Sequence, residues 1–143
     1  MIIFKRLISL WKSVSNRKKK FLLVEDDEFM KSVIARVLHS IDYELELTWV
    51  KSVEDAKHAL LKSDFDLVIT DFMMPKLNGI KFVEHLHSLQ PRIPIIFITG
   101  FLSVISGKTI LDDVAEVLAK PFGPDVLRST VHRLLDSTSY SAP

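Results

Sequence analysis

The sequence contains no cysteine, which excludes disulfide bonds and metal sites built from thiolates. It also lacks an apolar run long enough to cross a membrane. An uncharged segment, residues 93–107, has fifteen residues, whereas a membrane-spanning helix needs about 20. Because Pro94, Gly100 and Gly107 interrupt this segment, a buried strand followed by a loop is the better prediction.

The amino-terminal end has no acidic residue and no secretory signal. Lys5, Arg6 and Lys12 interrupt its apolar residues, so no continuous apolar stretch precedes a cleavage site. Residues 1–20 hold seven of the nineteen basic residues, and the remaining twelve stand against all eighteen acidic residues, a net charge of about −6. A basic arm thus precedes an acidic domain. The overall charge of +1 therefore gives no support for direct nucleic-acid binding.

The length of 143 residues and the hydrophobic content of 48% fit a single globular domain. We expect three parts in the chain. A basic amphipathic extension covers residues 1–19, the domain covers residues 20–136, and a flexible tail of small polar residues covers residues 137–143.

Short apolar blocks alternate with amphipathic blocks along the domain. Apolar or alternating runs predict strands at residues 21–24, 45–50, 66–70, 95–98 and 115–119. Helical spacing predicts helices at residues 29–38, 52–61 (capped by Ser52), 80–89, 103–111 and 124–135. This alternation predicts an α/β fold: a flavodoxin-like, doubly wound, five-stranded parallel sheet in the order 2-1-3-4-5 with five helices, plus a basic amphipathic N-terminal helix.

Polar residues follow four of the predicted strands, at the edge where doubly wound sheets form their sites. Acidic residues 25–28 follow the first strand, Asp71 the third, Thr99 the fourth and Lys120 the fifth. Carboxylates about 4 Å apart repel by roughly 4 kcal/mol at an effective dielectric constant of about 20, so their clustering requires a cation. Oxygen ligands favour Mg²⁺ or Mn²⁺. Such an ion, with a lysine and a hydroxyl, can neutralise a transferring phosphoryl group, for which a carboxylate is a candidate nucleophile.

Four motifs carry a resemblance to the response regulator receiver family. They are Phe21-Leu-Leu-Val-Glu-Asp-Asp, Leu67-Val-Ile-Thr-Asp-Phe-Met-Met-Pro-Lys-Leu-Asn-Gly79, Ile96-Phe-Ile-Thr-Gly100 and Ala119-Lys-Pro-Phe122. All four occur in the family's order and spacing, and the resemblance covers roughly residues 20–136. Within the family, the chain resembles the stand-alone, chemotaxis-regulator-like receivers of two-component systems.

The resemblance implies a Mg²⁺ (or Mn²⁺) site. Glu25 and Asp26 resemble the family's acidic pair, and we choose them over Asp26 and Asp27 because Val24 should end the strand. Asp26 and Asp71 would bind the metal directly, and Glu25 through water. The backbone carbonyl of Met73 would be a further ligand.

The resemblance also implies the phosphoryl-binding residues. Asp71 resembles the phosphoacceptor, Thr99 would hydrogen-bond a phosphoryl oxygen, and Lys120 would pair with the phosphoryl group. The Lys120–Pro121 peptide bond should be cis, as in the family, since only X–Pro bonds adopt this form at low cost.

By resemblance, the protein is a response regulator of a phosphorelay without an attached output domain. A sensor histidine kinase or a phosphotransfer protein would phosphorylate it, and it would signal by binding a downstream protein whose identity stays open. It would be cytoplasmic and would catalyse only its own Mg²⁺-dependent phosphorylation and slow dephosphorylation, so it would not be a metabolic enzyme.

Two departures from the family pattern leave alternatives open. Val117 stands where the family usually has an aromatic residue three positions before the lysine, and residues 113–115 replace the usual Gly-Ala. The switch would then run through backbone movement or through Phe101, or the chain would be a non-switching receiver-fold adaptor. A phosphatase with an aspartate nucleophile is a third interpretation, but Met73 occupies the position of its second catalytic acid.

The extension lies outside the resemblance. Its apolar residues fall mostly on one helical face, with Lys5, Arg6 and Lys12 on the other. Such a helix suits an anionic membrane surface, which would make the protein peripheral at the inner membrane face. Packing on its own domain, dimerisation through residues 1–20, and disorder or a misassigned start codon are the alternatives.

Overall fold

The computed structural model describes residues 2–15, 18–76, 78–100 and 116–139. Within these ranges, helices and strands alternate as the sequence predicts. The strands are β1 (Lys19–Val24), β2 (Leu45–Val50), β3 (Leu67–Asp71), β4 (Ile95–Thr99) and β5 (Glu116–Ala119). The helices are α1 (Ile2–Ser15), α2 (Glu28–His39), α3 (Val53–Lys62), α4 (Gly79–Leu89) and α5 (Pro124–Ser139).

The five strands form one parallel sheet in the order β2-β1-β3-β4-β5, which confirms the predicted topology. The two central strands β3 and β4 are buried along their whole length, and β1 is buried from Phe21 to Val24. This burial explains why their sequences are apolar up to the polar residues at their carboxyl ends, since helices cover both faces of a parallel sheet.

Alternate residues of β1 point to opposite faces of the sheet and so belong to two separate cores. Leu22 and Val24 belong to a core that α3 and α4 cover, and Phe21 and Leu23 belong to a core that α2 and α5 cover. Each core is closed by a pair of helices that contact one another. The sheet is therefore held rigidly, which fixes the positions of the residues at its ends.

Side-chain caps fix where three of the helices begin. Asp27, Ser52 and Asn78 each accept a hydrogen bond from the backbone amide three residues later, at 2.9, 3.1 and 3.2 Å. The cap at Ser52 was predicted from the sequence and is confirmed. Such caps satisfy amide groups that the first helical turn leaves without partners.

The structure corrects several predicted boundaries. The first strand begins at Lys19, inside the predicted extension, and the third runs from Leu67 to Asp71 rather than over residues 66–70. Asp66 instead accepts a hydrogen bond from the Lys20 amide with its side chain (2.8 Å). The predicted helix at residues 103–111 lies outside the described residues, as does the start of the fifth strand at residue 115.

The last helix is longer than predicted, because α5 continues to Ser139 and so enters the segment that was predicted as a flexible tail. No proline or glycine interrupts the sequence after Pro124 before residue 139, and serine and threonine are only mildly unfavourable in helices. The hydroxyl of Tyr43 donates to Asp136 at 2.8 Å and so ties this part of the helix to the domain. No helix among the described ranges is both long and apolar enough to cross a membrane.

Candidate functional site

The polar residues singled out in the sequence meet at the carboxyl edge of the sheet. Asp71 ends β3 and lies beside Ile98 of β4, and Thr99 ends β4 and lies beside Ala119 of β5. The Lys120 amide donates to the Thr99 carbonyl at 2.7 Å, which continues the pairing by one residue. This register places Lys120 where its side chain can reach across to the end of β3. The Lys120–Pro121 peptide bond is cis, as predicted.

Asp71 is buried, and both of its carboxylate oxygens have partners. Its Oδ2 accepts a hydrogen bond from Lys120 Nζ at 2.8 Å, and its Oδ1 accepts one from the Met73 amide at 2.9 Å. The first contact is also an ion pair. A charge-assisted contact of this length between largely buried groups fixes the lysine ammonium directly against the carboxylate.

Three carboxylates converge beside this ion pair. Glu25, Asp26 and Asp71 each offer one oxygen, and these oxygens lie within 4.8 Å of one another. Glu25 and Asp71 are buried, whereas Asp26 is exposed, so the cluster opens to solvent on one side. An all-oxygen set of this kind suits a hard divalent cation such as Mg²⁺, which retains several water ligands and binds through one or two carboxylates.

Hydrogen bonds hold Glu25 on three sides. Its amide donates to the Val50 carbonyl at 3.0 Å, its carbonyl accepts from Trp49 Nε1 at 2.8 Å, and its Oε1 accepts from the Asp27 amide at 3.1 Å. The other oxygen, Oε2, is buried and has no hydrogen-bond partner among the described residues, with Lys120 Nζ at 4.0 Å. A cation or its bound water would satisfy this oxygen, so the residues present fit a metal ion.

Burial is the main cause that raises the pKa of Glu25 from 4.5 to about 7. The Asp27 amide and the Lys120 ammonium lower this pKa, in that order, and the carboxylates of Asp71 and Asp26 raise it. A carboxyl group with this pKa is held in surroundings that disfavour its charged form. A cation bound beside Glu25 would favour the charged form of its carboxyl group.

This raised pKa predicts a pH dependence of stability in the absence of divalent ions. Because the folded-state pKa lies above the ordinary value, the contribution of Glu25 to stability is fully present below about pH 4.5 and is lost as the pH rises through about 7. We expect the free energy of unfolding to fall by about 1–3 kcal/mol between about pH 5 and about pH 8, since one pKa unit corresponds to about 1.4 kcal/mol. Urea denaturation at each pH, in the presence of a chelator, measures this free energy of unfolding.

Glu25→Gln is the matched control for this pH dependence, because it removes the titrating group and retains the size and the polar atoms of the side chain. The variant should lose most of the fall in stability. If the parent and the variant changed equally with pH, the burial of Glu25 would not be the cause.

The neighbouring acidic residues have different structural roles. Asp27 caps α2 through the Met30 amide, and Glu28 pairs with Lys51 at 2.8 Å, so both side chains point to partners outside the cluster. Lys51 pairing holds the pKa of the Glu28 carboxyl below its ordinary value. Of the four consecutive acids, the structure thus brings Glu25 and Asp26 to the end of β3.

Met73 and Thr99 differ in their exposure to solvent. Thr99 is fully buried at the end of β4, and the Met73 side chain is half exposed beside Asp71. The amide of Met73 faces the Asp71 carboxylate, so Met73 belongs to the site through its backbone.

Trp49 is a site residue that sequence reasoning missed. It is the penultimate residue of β2, donates through Nε1 to the Glu25 carbonyl, and has Lys31 and Lys51 over its ring at 4.6 and 5.1 Å from the ring centre. Its only signal in the sequence is its position near the end of the second strand, next to the acidic segment in the predicted strand order. A tryptophan in an alternating strand otherwise indicates ordinary packing.

A cavity of about 440 Å³ lies at the opposite edge of the sheet, where Lys19, Asp66 and Pro94 precede or begin β1, β3 and β4. None of the predicted site residues lines it. The cavity and the acidic cluster are therefore separate features at the two ends of the sheet.

Comparison with known proteins bears on the whole domain. The sequence profile of the response regulator receiver domain matches residues 21–132. The response regulator receiver protein CpdR of Brucella abortus (strain 2308) is 30% identical over 118 residues, which make up 82% of this chain and 97% of that protein. Other relatives are longer transcriptional regulators, and this chain spans between 20% and 52% of their lengths.

Solved structures show the same fold. The chemotaxis response regulator CheY4 of Vibrio cholerae is 27% identical, with a TM-score of 0.71 over 83% of this chain and 100% of that one. The receiver domain of sensor histidine kinase PA1611 from Pseudomonas aeruginosa PAO1 has a TM-score of 0.73 at 24% identity, covering 84% of this chain and 99% of that one. That domain was solved with a magnesium ion coordinated in its active site cleft.

Proposed function

Because the chain belongs to the response regulator receiver domain family, we propose that it is a phosphorylation switch whose phosphoacceptor is Asp71. A sensor histidine kinase or a phosphotransfer protein would donate the phosphoryl group. The phosphorylated domain would then signal by binding a downstream protein. Receiver domains are signalling domains rather than metabolic enzymes, and the site contains the groups for phosphoryl transfer to itself.

The observation that carries this proposal is the contact between Asp71 and Lys120, together with the three carboxylates that converge there. A carboxylate nucleophile needs positive charge nearby, because the phosphoryl group that it attacks is itself negative. Lys120 Nζ lies 2.8 Å from Asp71 Oδ2 and supplies one such charge. A cation among the three carboxylates would supply the other.

The transfer step can be written with the residues of this chain. An oxygen of Asp71 forms a bond to phosphorus while the bond between phosphorus and the donor histidine nitrogen breaks, and the imidazole keeps that electron pair and takes up a proton. Lys120 moves with the transferred charge from the Asp71 carboxylate to the phosphoryl oxygens. Thr99, buried at the end of β4, has the hydroxyl to donate to one of these oxygens.

The metal ligands that we propose are Asp26 and Asp71 directly, the carbonyl of Met73, and Glu25 through water. When bound, Mg²⁺ neutralises phosphoryl oxygens and lowers the repulsion between the carboxylates. The buried Glu25 Oε2, which has no hydrogen-bond partner among the described residues, supports the assignment of Glu25. The magnesium ion in the Pseudomonas aeruginosa receiver domain supports the choice of metal.

Incubation with a small acyl phosphate and Mg²⁺ tests the proposed function. We expect one phosphoryl group to accumulate on the protein, detected by intact-protein mass spectrometry, and to be lost when Mg²⁺ is removed before the donor is added. Rapid release of inorganic phosphate without accumulation would instead indicate a phosphatase. No labelling under any metal condition would contradict the proposal.

The lifetime of the phosphorylated state should depend on Met73. In the family, the residue two positions beyond the acceptor tunes the attacking water, and here its half-exposed thioether offers only a weak hydrogen-bond acceptor. We expect Met73→Asn to speed hydrolysis by about three- to tenfold, since one hydrogen bond to water contributes about 1 kcal/mol. Phosphate release from the purified phosphoprotein measures the rate.

Met73→Leu is the control for that experiment, because it keeps an apolar side chain of similar size. Its hydrolysis rate should match that of the parent. Equal or slower hydrolysis in Met73→Asn would show that water access at this position does not limit the lifetime.

A non-switching adaptor is the second candidate, and Val117 is the observation that favours it. Val117 is half-buried and packs against the core that α3 and α4 cover, where the family usually has an aromatic residue that rotates. The two functions differ in one measurement. A switch changes the amide NMR spectrum of β5 around Val117 on phosphorylation, whereas an adaptor changes only the residues next to Asp71, such as Ile98, and next to Lys120.

A further inference from the structure

The helix α1 carries six of the twelve large apolar side chains that are exposed in the described structure. All side chains described on it, residues 2–10, are exposed, and Ile3, Phe4 and Leu7 are exposed by 75, 70 and 57%. An isolated helix of 14 residues is marginal in water, so an exposed apolar helix of this length needs a surface to lie on.

The apolar positions of α1 form a broad sector. With about 100° per residue, positions 3, 4, 7, 8 and 10, together with Trp11 and Val14 in the sequence, fall within about 160° of the helix circumference. Lys5, Arg6 and Lys12 fall on the opposite side. Ile2 is the one apolar residue of the helix outside the sector.

The width of this sector argues against pairing with a second copy as the main role. A two-helix seam buries a narrow stripe of two positions in seven, which would leave the flanks of a sector this wide in water. Pairing would also bring two sets of cations together, because residues 1–20 contain seven basic residues and no acidic one. Apolar residues across a wide sector, with cations opposite, are typical of helices that lie in a membrane interface.

We propose that α1 binds the surface of a membrane that contains anionic lipids, an interaction separate from the proposed phosphorylation. The apolar sector would enter the boundary between headgroups and acyl chains, and the basic residues would contact lipid phosphates or carboxylates. The charge of residues 1–20 complements such a surface, whereas the remainder of the chain, with a net charge of about −6, is repelled by it.

The topology keeps the phosphorylation site accessible in this arrangement. Lys18 precedes β1, which begins with Lys19 and Lys20 at the amino edge of the sheet, and the acidic cluster lies at the carboxyl edge, one strand length of about 20 Å away. A kinase or phosphotransfer protein can therefore approach the site while the arm is attached to the membrane.

Vesicle co-sedimentation of the full chain tests the proposal. We expect binding to phosphatidylcholine vesicles that contain phosphatidylglycerol, weakening as salt is added, and no binding to phosphatidylcholine alone. Phe4→Ser with Leu7→Ser should weaken binding more than tenfold, because both side chains lose their burial in the interface. Lys5→Gln with Arg6→Gln should weaken it about fivefold per charge.

The control variant is Ser9→Ala with Ser13→Ala, which changes two residues on the polar side of α1 without changing its charge or its apolar sector. Its affinity for vesicles should equal that of the parent. Labelling of Asp71 should be equal in all these chains, so failure of membrane binding can be told apart from failure of the proposed function.

Two results would overturn the membrane proposal. The first is an absence of co-sedimentation with anionic vesicles. The second is a dimer, seen by light scattering, that disappears in the Phe4→Ser, Leu7→Ser variant while neither chain binds vesicles, which would assign α1 to self-association.

Discussion

Replacing Asp71 by asparagine is expected to abolish covalent phosphorylation by a small acyl phosphate. The amide of asparagine is a far weaker nucleophile than a carboxylate, and no other described carboxylate at the site is both buried and in contact with Lys120 at hydrogen-bond distance. The substitution also removes the negative charge that holds Lys120 Nζ at 2.8 Å. We therefore expect stable labelling to fall to background in intact-protein mass spectrometry.

The fold should survive this substitution. Asparagine has the shape of aspartate, and its side-chain oxygen can still accept the hydrogen bond from the Met73 amide. Stability should change by only about 1–2 kcal/mol, since removing one carboxylate both breaks the ion pair and relieves repulsion within the cluster. Unchanged circular dichroism and a cooperative urea transition would show that lost labelling is not lost folding.

Asp125→Asn serves as the matched control for Asp71→Asn. Asp125 is an exposed aspartate at the start of α5 whose carboxylate pairs with Arg128 rather than with Lys120. Its variant should be labelled like the parent. Labelling that persisted in Asp71→Asn would place the phosphoacceptor elsewhere and contradict the proposed function.

The topology could be predicted because it depends on features that a sequence displays directly. Continuous apolar runs such as 95–98 mark strands covered on both faces, and amphipathic segments between them mark the covering helices. Since parallel strands carry their carboxyl ends to one edge, residues directly after the strands had to lie near one another. Asp71, Thr99 and Lys120 follow from this rule, and the structure places them at the carboxyl ends of three adjacent strands.

Other features depend on contacts between distant residues and could not be predicted. The hydrogen bond from Trp49 Nε1 to the Glu25 carbonyl depends on the register between the parallel strands β1 and β2. In that register Leu23 lies beside Trp49. The hydrogen bond from the Tyr43 hydroxyl to Asp136 in α5 joins residues 93 positions apart. Glu25 is held by Val50 and Trp49 of the neighbouring strand β2, so the burial that raises its pKa had no signal in its own segment of the sequence.

The choice between Asp26 and Asp27 combines both kinds of information. The expected end of β1 at Val24 favoured Glu25 and Asp26 as the acidic pair, and β1 ends at Val24 in the structure. The structure adds that Asp27 already has a partner, the Met30 amide at 2.9 Å, as the cap of α2. The two adjacent aspartates therefore have separable roles that mutation can distinguish.

Asp26→Ala should weaken Mg²⁺ binding by about 10- to 100-fold, while Asp27→Ala should change it by less than about threefold. Asp26 supplies one of three oxygens within 4.8 Å, and loss of a ligand costs at least as much as loss of a residue that supports one. Asp27 contributes to the cluster only its backbone amide, which alanine retains. Quenching of Trp49 fluorescence during Mg²⁺ titration measures both affinities, because its ring nitrogen contacts Glu25.

Stability in the absence of metal should respond in the opposite order. Asp27→Ala removes the cap of α2 and should lower the free energy of unfolding by about 1 kcal/mol. Asp26→Ala should leave it unchanged or raise it slightly, because an exposed carboxylate that repels Glu25 and Asp71 is lost. Urea denaturation with a chelator present gives both values. If Asp27→Ala were the variant that lost Mg²⁺ affinity, the acidic pair would lie one residue later than we propose, and Glu25 would not belong to the metal site.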